Sequence, residues 1–135
     1  MHQTDWLLRQ IEMMGDAFRR LLAALREHRP EGAIAVSHEA IGELLGTDPT
    51  VVDILTAEGL LTMLSAGGSL DVYRAHMLGE MLAARAEALE QLGRYTQASA
   101  DRARARILLA AALPESEGAD ADRIAEVLEW LGAGR

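Results

Sequence analysis

Side chains of the types used by hydrolases stand together at Ser37, His38 and Glu39. Adjacent residues of a helix point about 100° apart, so these three are not expected to converge as nucleophile, base and acid. The segment GGSLD carries Asp71 where a nucleophile-elbow motif needs glycine, and HEAIG carries Gly42 where a zinc protease needs its second histidine. We therefore predict no catalytic residues, with His38 partly solvated or hydrogen-bonded to a backbone carbonyl.

A second pair of polar residues, His76 and Glu80, has the spacing of two metal ligands on one face of a helix. A closed site needs two more ligands, and the other histidines lie on separate segments, at His2, His28 and His38. The acidic run at 120–122 lacks the glycine and the terminal glutamate of a calcium loop and suits the start of a helix. The sequence therefore predicts no metal and no cofactor, and solvated or helix-capping roles for the pair.

Two absences in the 135-residue composition exclude whole classes of enzyme. All 13 basic residues are Arg, so the chain lacks the lysine of a phosphate-binding loop, a protein kinase or a pyridoxal enzyme. Without cysteine it has no thiolate nucleophile, no thiolate metal site and no disulfide. The length is that of one domain with a single core.

Charge and hydropathy restrict the partners. The 21 acidic side chains give a net charge of -8, which disfavours the counterion exchange that nucleic-acid binding requires. The three arginines nearest to a basic patch, Arg102, Arg104 and Arg106, divide between different faces of a helix. The longest apolar run, 107–113, is too short to span a bilayer, and the N-terminus lacks the zones of a signal peptide. We predict no nucleic-acid partner, no membrane partner and a cytoplasmic location.

The elements that must position these residues are helices. Residues that favour helices dominate and alternation with a period of two is missing, so the predicted fold class is an all-α bundle of about six to seven helices. Pro49 after Asp48 predicts a helix start, Gly59 a break between two short helices, and Pro30 the end of the first helix. We expect one domain over 1–135, with a long helix at about 4–27, short helices at about 32–65, a hairpin at about 70–113 and a capping helix at about 120–131.

The first helix carries more apolar surface than one covered face requires. Its seam repeats at spacings of four and three residues, and we predict that other helices, a second copy of the chain or another protein covers it. The next helix is expected to place Ile34, His38, Ile41 and Leu45 on one face. The predicted partner or self-association face of the first helix consists of Trp6, Leu7, Ile11, Met14, Phe18, Leu21 and Leu25.

The stretch Leu82 to Ala105 resembles one tetratricopeptide repeat. Gly93 stands at the turn and Tyr95 at the position that fills the gap beneath it, with small residues at Ala86 and Ala98 where two helices meet. The aromatic residue of the repeat's second helix is replaced by Arg102, and any tight helical hairpin would select similar residues. The resemblance implies a protein-interaction scaffold, and it places an acidic stripe that could meet a basic peptide on a groove at Glu80, Ala83, Glu87 and Glu90.

Over most of residues 4–105 the chain also resembles an uncharacterised family of short bacterial helical proteins. The opening TDWLLRQIEMMG, the middle LLGTDP, the turn GGSLD and the hairpin LGRYTQA carry this resemblance. It implies an all-α, tetratricopeptide-like fold and assigns no activity.

Together these patterns predict a protein without enzymatic activity that serves as a protein-interaction or self-assembling scaffold. Its expected partner is a protein or a second copy of the chain, with a homodimer preferred among oligomers. The alternative is a small-molecule-binding protein or enzyme with a pocket between helices. The polar groups near the apolar stripes that could serve such a pocket are His38, Tyr73, His76 and Glu80.

Overall fold

A computed structural model describes the backbone of residues 2–133 and the side chains of residues 8, 9 and 11–132. This part of the chain forms seven α-helices and contains no strand, so the predicted all-α bundle is confirmed. The helices are α1 (His2–Arg26), α2 (Pro30–Leu45), α3 (Val51–Ile54), α4 (Ala57–Leu64), α5 (Val72–Gln91), α6 (Tyr95–Ala112) and α7 (Gly118–Ala133), with a 3₁₀ turn at Leu113–Glu115.

Helix α5 is the centre of the bundle and contacts α1, α2, α4, α6 and α7. Twelve of its 20 residues are buried, including Leu78, Met81 and Leu82, which are fully buried. Neighbouring helices therefore pack against α5 from several directions. Its apolar residues are all buried except four that are partly buried, Val72, Tyr73, Met77 and Ala84.

The hairpin of α5 and α6 is the most closely packed part of the fold. Gly93 makes the turn between the two helices with a φ of 75°, which a residue with a side chain rarely adopts. Small residues such as Ala75 and Ala105 are fully buried where the helices meet, and Gly79 lies against Leu109. The abundance of alanine in this part of the sequence thus allows two helix backbones to approach closely.

Helices α1, α5 and α7 run in the same direction. Helices α2 and α6, which lie between them along the chain, run in the opposite direction. At one end Ile11 of α1 and Asp120 of α7 lie beside Tyr73 of α5, and at the other end Leu25 and Val127 lie beside Glu87. Because α5 makes its main contacts with α2 and α6, one side of it is left open between α1 and α7.

Several predicted helix boundaries are wrong by a few residues. Pro30 does not end α1; it occupies the first turn of α2, where its missing N–H costs nothing. Asp48 accepts a hydrogen bond from the Thr50 N–H at 3.0 Å, but α3 begins only at Val51. The break between the short helices α3 and α4 falls before Thr56 and not at Gly59. The Thr56 hydroxyl caps α4 by accepting a hydrogen bond from the Gly59 N–H, so Gly59 lies inside that helix.

Candidate functional site

The apolar seam of α1 divides into a buried edge and an open edge. Met14, Leu21 and Leu25 are buried in the core of the chain, so these three offer little surface to a partner. Ile11 is 46% exposed, and Phe18 is half-buried. The side chains of Trp6 and Leu7 lie outside the described residues. The predicted partner face is therefore reduced to the edge of α1 that faces away from α2.

This open edge forms one wall of a groove between α1, α5 and α7. The groove consists of two adjoining cavities of about 510 Å³ and about 640 Å³, which share Phe18 and Glu80 in their linings. Leu22 on α1 and Trp130 on α7 are 45% and 42% exposed, although both are large apolar residues. We call this feature the α1/α5/α7 groove, and its apolar wall residues are Ile11, Phe18, Leu22, Leu25, Val127 and Trp130.

The groove is strongly acidic. Among the described residues its two cavities are lined by seven carboxylates but a single arginine, Arg123, together with His76. The excess of negative charge makes the groove favourable for cations and unfavourable for anions. The groove carboxylates are Glu80, Glu87, Glu115, Glu117, Asp120, Glu126 and Glu129.

A bridge of three side chains crosses the groove floor where the two cavities meet. One carboxylate oxygen of Glu80, Oε2, lies 2.6 Å from His76 Nε2, and the other, Oε1, accepts from Arg123 Nε at 3.0 Å and Nη2 at 2.9 Å. Burial alone would raise the pKa of Glu80, but the hydrogen bonds and charge of His76 and Arg123 outweigh it and hold the pKa below its ordinary value. The bridge therefore ties α7 to α5 and keeps Glu80 ionised.

This bridge corrects the solvated or capping roles expected for His76 and Glu80. Both residues are buried, with 6% and 9% of their surfaces exposed, and each is a partner of the other. The sequence could not reveal Arg123 as the third member, because it is 43 residues away from Glu80.

The four residues that the resemblance places on a groove do not share one environment. Glu80, Ala83 and Glu87 line the α1/α5/α7 groove. Glu90 lines neither of its two cavities and forms an ion pair with Arg102 of α6. The Arg102 guanidinium also lies 5.2 Å from the centre of the Trp130 ring, which fixes one side of that tryptophan.

The hydrolase-like residues of α2 do not assemble. Ser37 is buried and donates its hydroxyl proton to the Ile34 carbonyl at 2.8 Å, whereas His38 and Glu39 are exposed. The predicted apolar face is wrong at His38, because the buried side of α2 centres on Ala33, Ser37, Ala40, Ile41 and Leu44.

A buried charge network that the sequence analysis missed lies on the opposite side of α5. Arg85 is 6% exposed and donates to Asp101 through Nε at 2.7 Å and Nη2 at 2.9 Å, and to Asp53 at 2.7 Å. Arg104 donates to the Leu55 carbonyl at 3.2 Å. Burial would lower the pKa of Arg85, but the hydrogen bonds and charges of Asp101 and Asp53 outweigh it and raise the pKa, so Arg85 stays charged.

A signal for this network was present in the sequence. Arg85 stands three residues after Leu82 and four before Leu89, and so lies within an apolar stripe of α5. Asp101 stands in the same way between Ala98 and Ala105 on α6. A charged residue at each of two apolar positions on paired helices indicates a buried ion pair.

The described residues contain no group of three or more His, Asp or Glu side chains placed to hold a metal ion. Within the same part of the chain, every helix is too short or too polar to cross a membrane.

Comparisons of the chain with models of protein families, with curated proteins and with solved structures find no match. The tetratricopeptide resemblance and the bacterial family therefore stay predictions from the sequence.

Proposed function

We propose that this protein is an interaction scaffold without enzymatic activity, which binds a segment of another protein in the α1/α5/α7 groove. The observation that carries the proposal is the groove wall, where Ile11, Leu22 and Trp130 keep between 42% and 46% of their surfaces exposed. Large apolar side chains that line one concave surface, with charged residues around them, are typical of protein-binding sites.

The length of the groove favours a protein segment over a single small molecule. Its floor follows α5 from Tyr73 to Glu87, which is roughly 21 Å at a rise of 1.5 Å per residue. The two cavities are continuous through Phe18 and Glu80 and lie at the surface between helices. An elongated apolar groove between helices suits recognition of a helix or an extended peptide through its side chains.

The state of the polar residues supports a binding role over catalysis. Both oxygens of Glu80 are occupied by His76 and Arg123, and the Ser37 hydroxyl donates to the backbone of its own helix. The Glu80 carboxylate and the Ser37 hydroxyl are therefore engaged within the protein. The cytoplasmic location expected from the sequence belongs to the same proposal.

Self-association, with the predicted homodimer, is an alternative use of the same surface. Two copies that met through this groove would bring seven carboxylates of one chain towards seven of the other. Like charges at such an interface are unfavourable at low ionic strength. We therefore propose a different protein as the partner, and a dimer that persists at low salt in light-scattering measurements would favour self-assembly.

A small-molecule site is the second candidate, and one observation favours it. The cavity of about 640 Å³ brings together Tyr73, His76 and Glu80, and the Tyr73 hydroxyl is buried without a hydrogen-bond partner among the described residues. The volume lies within the range of ligand pockets. His38 lies elsewhere, on α2. A metabolite released from the purified protein and detected by mass spectrometry would support this function.

Site-specific crosslinking tests the proposed function. A photo-reactive amino acid at Leu22 or Trp130 reports on the groove, and the same group at Ile54, which is 80% exposed outside it, is the control. We expect the groove positions to crosslink in cells to one protein segment that Ile54 does not reach. Crosslinks from all three positions to the same proteins, or none from the groove, would contradict the proposal, and crosslinks to the chain itself would indicate self-assembly.

A further inference from the structure

The charges of the groove point to the chemistry of its occupant, and this inference rests on the function proposed above. We infer that the α1/α5/α7 groove takes a short helix of another protein, with an apolar face flanked by Lys or Arg. The apolar wall provides the contact area, and the excess of carboxylates over arginine selects the sign of the charge.

The carboxylates are grouped at the two ends of the groove. Glu87, Glu126 and Glu129 surround the end that contains Leu22 and Trp130. The other end, beside Tyr73, is lined by Glu115, Glu117 and Asp120. In the middle Glu80 is neutralised by its bridge to Arg123. The arrangement therefore fits an occupant with an apolar centre and a cationic group towards each end.

The distance between the two acidic ends of the groove sets the distance between the cationic residues of the occupant. Asp120 and Glu129 are nine residues apart on α7, or roughly 14 Å along the helix axis. An occupant helix that lies along the groove would place its cations two to three turns apart on one side. This is a pattern that can be built into a peptide.

The walls of the groove favour a helical occupant over a strand. Apart from the short segment 115–117, the groove is lined by helices, whose backbone N–H and C=O groups are bonded within the helix except at the ends. An extended peptide would find no strand edge to pair with, so its own backbone would stay unpaired or wet. A helix satisfies its backbone internally and presents only side chains.

Synthetic peptides of 16 residues provide the test, with Trp130 as the reporter. Trp6→Phe removes the second of the two tryptophans, so that fluorescence reports on the groove. The probes are an amphipathic Leu/Lys helix with lysines at the stated spacing, twins with Glu or Gln in place of Lys, and a scrambled Lys peptide without an apolar face. We expect the Leu/Lys helix to bind at least tenfold tighter than each of the other three.

A matched pair of variants separates groove charge from net charge. Glu87→Gln, Glu126→Gln and Glu129→Gln together remove three groove carboxylates, whereas Glu39→Gln, Glu43→Gln and Glu58→Gln remove three carboxylates outside the groove. We expect the first triple variant to lose about tenfold in affinity for the Leu/Lys helix, as for three partly exposed charge pairs, and the second to lose little.

The outcomes separate the two proposals. Equal binding of the Gln or Glu twin would overturn the inference about charge but leave a protein-binding groove. Equal weakening by both triple variants would show non-specific attraction and would also overturn it. If no peptide changes Trp130 fluorescence, and the crosslinking at Leu22 also finds no protein, the proposed function fails with the inference.

Discussion

Glu80 is the single residue on which the arrangement of the groove depends most directly. Its two oxygens contact side chains from different elements, His76 on the same helix and Arg123 on α7. A buried carboxylate is stable only when its charge is compensated by such partners. The residue therefore contributes to the placement of α7 as well as to the charge of the groove floor.

We predict that Glu80→Gln reduces the free energy of unfolding at pH 7 by about 1 to 3 kcal/mol, the range for hydrogen bonds to charged groups. The pKa of Glu80 in the folded protein is lowered, so its contribution is complete above its ordinary value of 4.5 and is lost as the pH falls through the folded value. Urea unfolding of both proteins between pH 7 and pH 3 should therefore show curves that converge in acid.

Glu43→Gln serves as the control, because Glu43 is an exposed carboxylate on α2. Its stability curve should run parallel to that of the unchanged protein over the same pH range. A constant gap between Glu80→Gln and the unchanged protein down to pH 3 would argue that the bridge is not charged.

At the scale of the elements, helices α5 and α6 pack most closely where Gly79 of α5 contacts Leu109 of α6. A Cβ atom added at Gly79 would lie 2.7 Å from Leu109 Cγ, and Leu109 is fully buried, so it has no room to move. Gly15 of α1 is also inside a helix, but the nearest atom to an added Cβ is Arg19 Nη1 at 3.7 Å, an ordinary contact. Both glycines thus lie inside a helix, but only Gly79 lacks space for a side chain.

We predict opposite effects of alanine at these two positions. Gly79→Ala should destabilise the protein by about 1 to 3 kcal/mol, because the overpacked methyl group forces α5 and α6 apart. Gly15→Ala should stabilise it by about 0.5 to 1 kcal/mol through helix propensity alone. Thermal or urea unfolding measures both, and stabilisation by Gly79→Ala would show that the two helices are not closely packed.

At the scale of the whole molecule, the acidic residues are concentrated in a way that lowers the stability of the fold. Seven of the 21 acidic residues line one groove, and Arg123 pairs with two of them, Glu80 and Glu126. The groove therefore keeps an excess of negative charge that is self-repulsive in the absence of a partner. Such repulsion destabilises the compact state and is screened by salt. Under the function proposed above, the groove would be maintained at a cost in stability.

We predict that raising NaCl from 20 to 500 mM increases the melting temperature of the unliganded protein by roughly 3 °C, equivalent to about 1 kcal/mol for a chain of this size. The triple variant Glu87→Gln, Glu126→Gln and Glu129→Gln should melt higher at low salt and respond less to salt. Its control is the triple variant at Glu39, Glu43 and Glu58, which should keep most of the salt response.

If the melting temperatures of the two triple variants respond equally to salt, the stabilisation by salt arises from the net charge and not from the groove. A melting temperature that falls with salt would mean that ion pairs such as Arg85 with Asp101 dominate over the repulsion.

The sequence by itself determined the fold class and the order of the helices. Helix propensity and apolar spacing act between residues three or four apart, so they predicted the hairpin of α5 and α6 with its turn at Gly93. The errors at Pro30, Gly59 and His38 are local, because more than one capping residue or helix phase was compatible with the same short segment.

Only the tertiary structure decided which apolar surfaces are buried and which stay open. It assigned Met14 and Leu21 to the core and left Leu22 in the groove, and it joined Glu80 to Arg123 across 43 residues of chain. The periodicity of α1 shows that the helix has apolar faces, and it contains no information on which helix covers each of them. That choice depends on packing between distant segments, which is also what collects the carboxylates of α5, α7 and the 3₁₀ turn into one acidic groove.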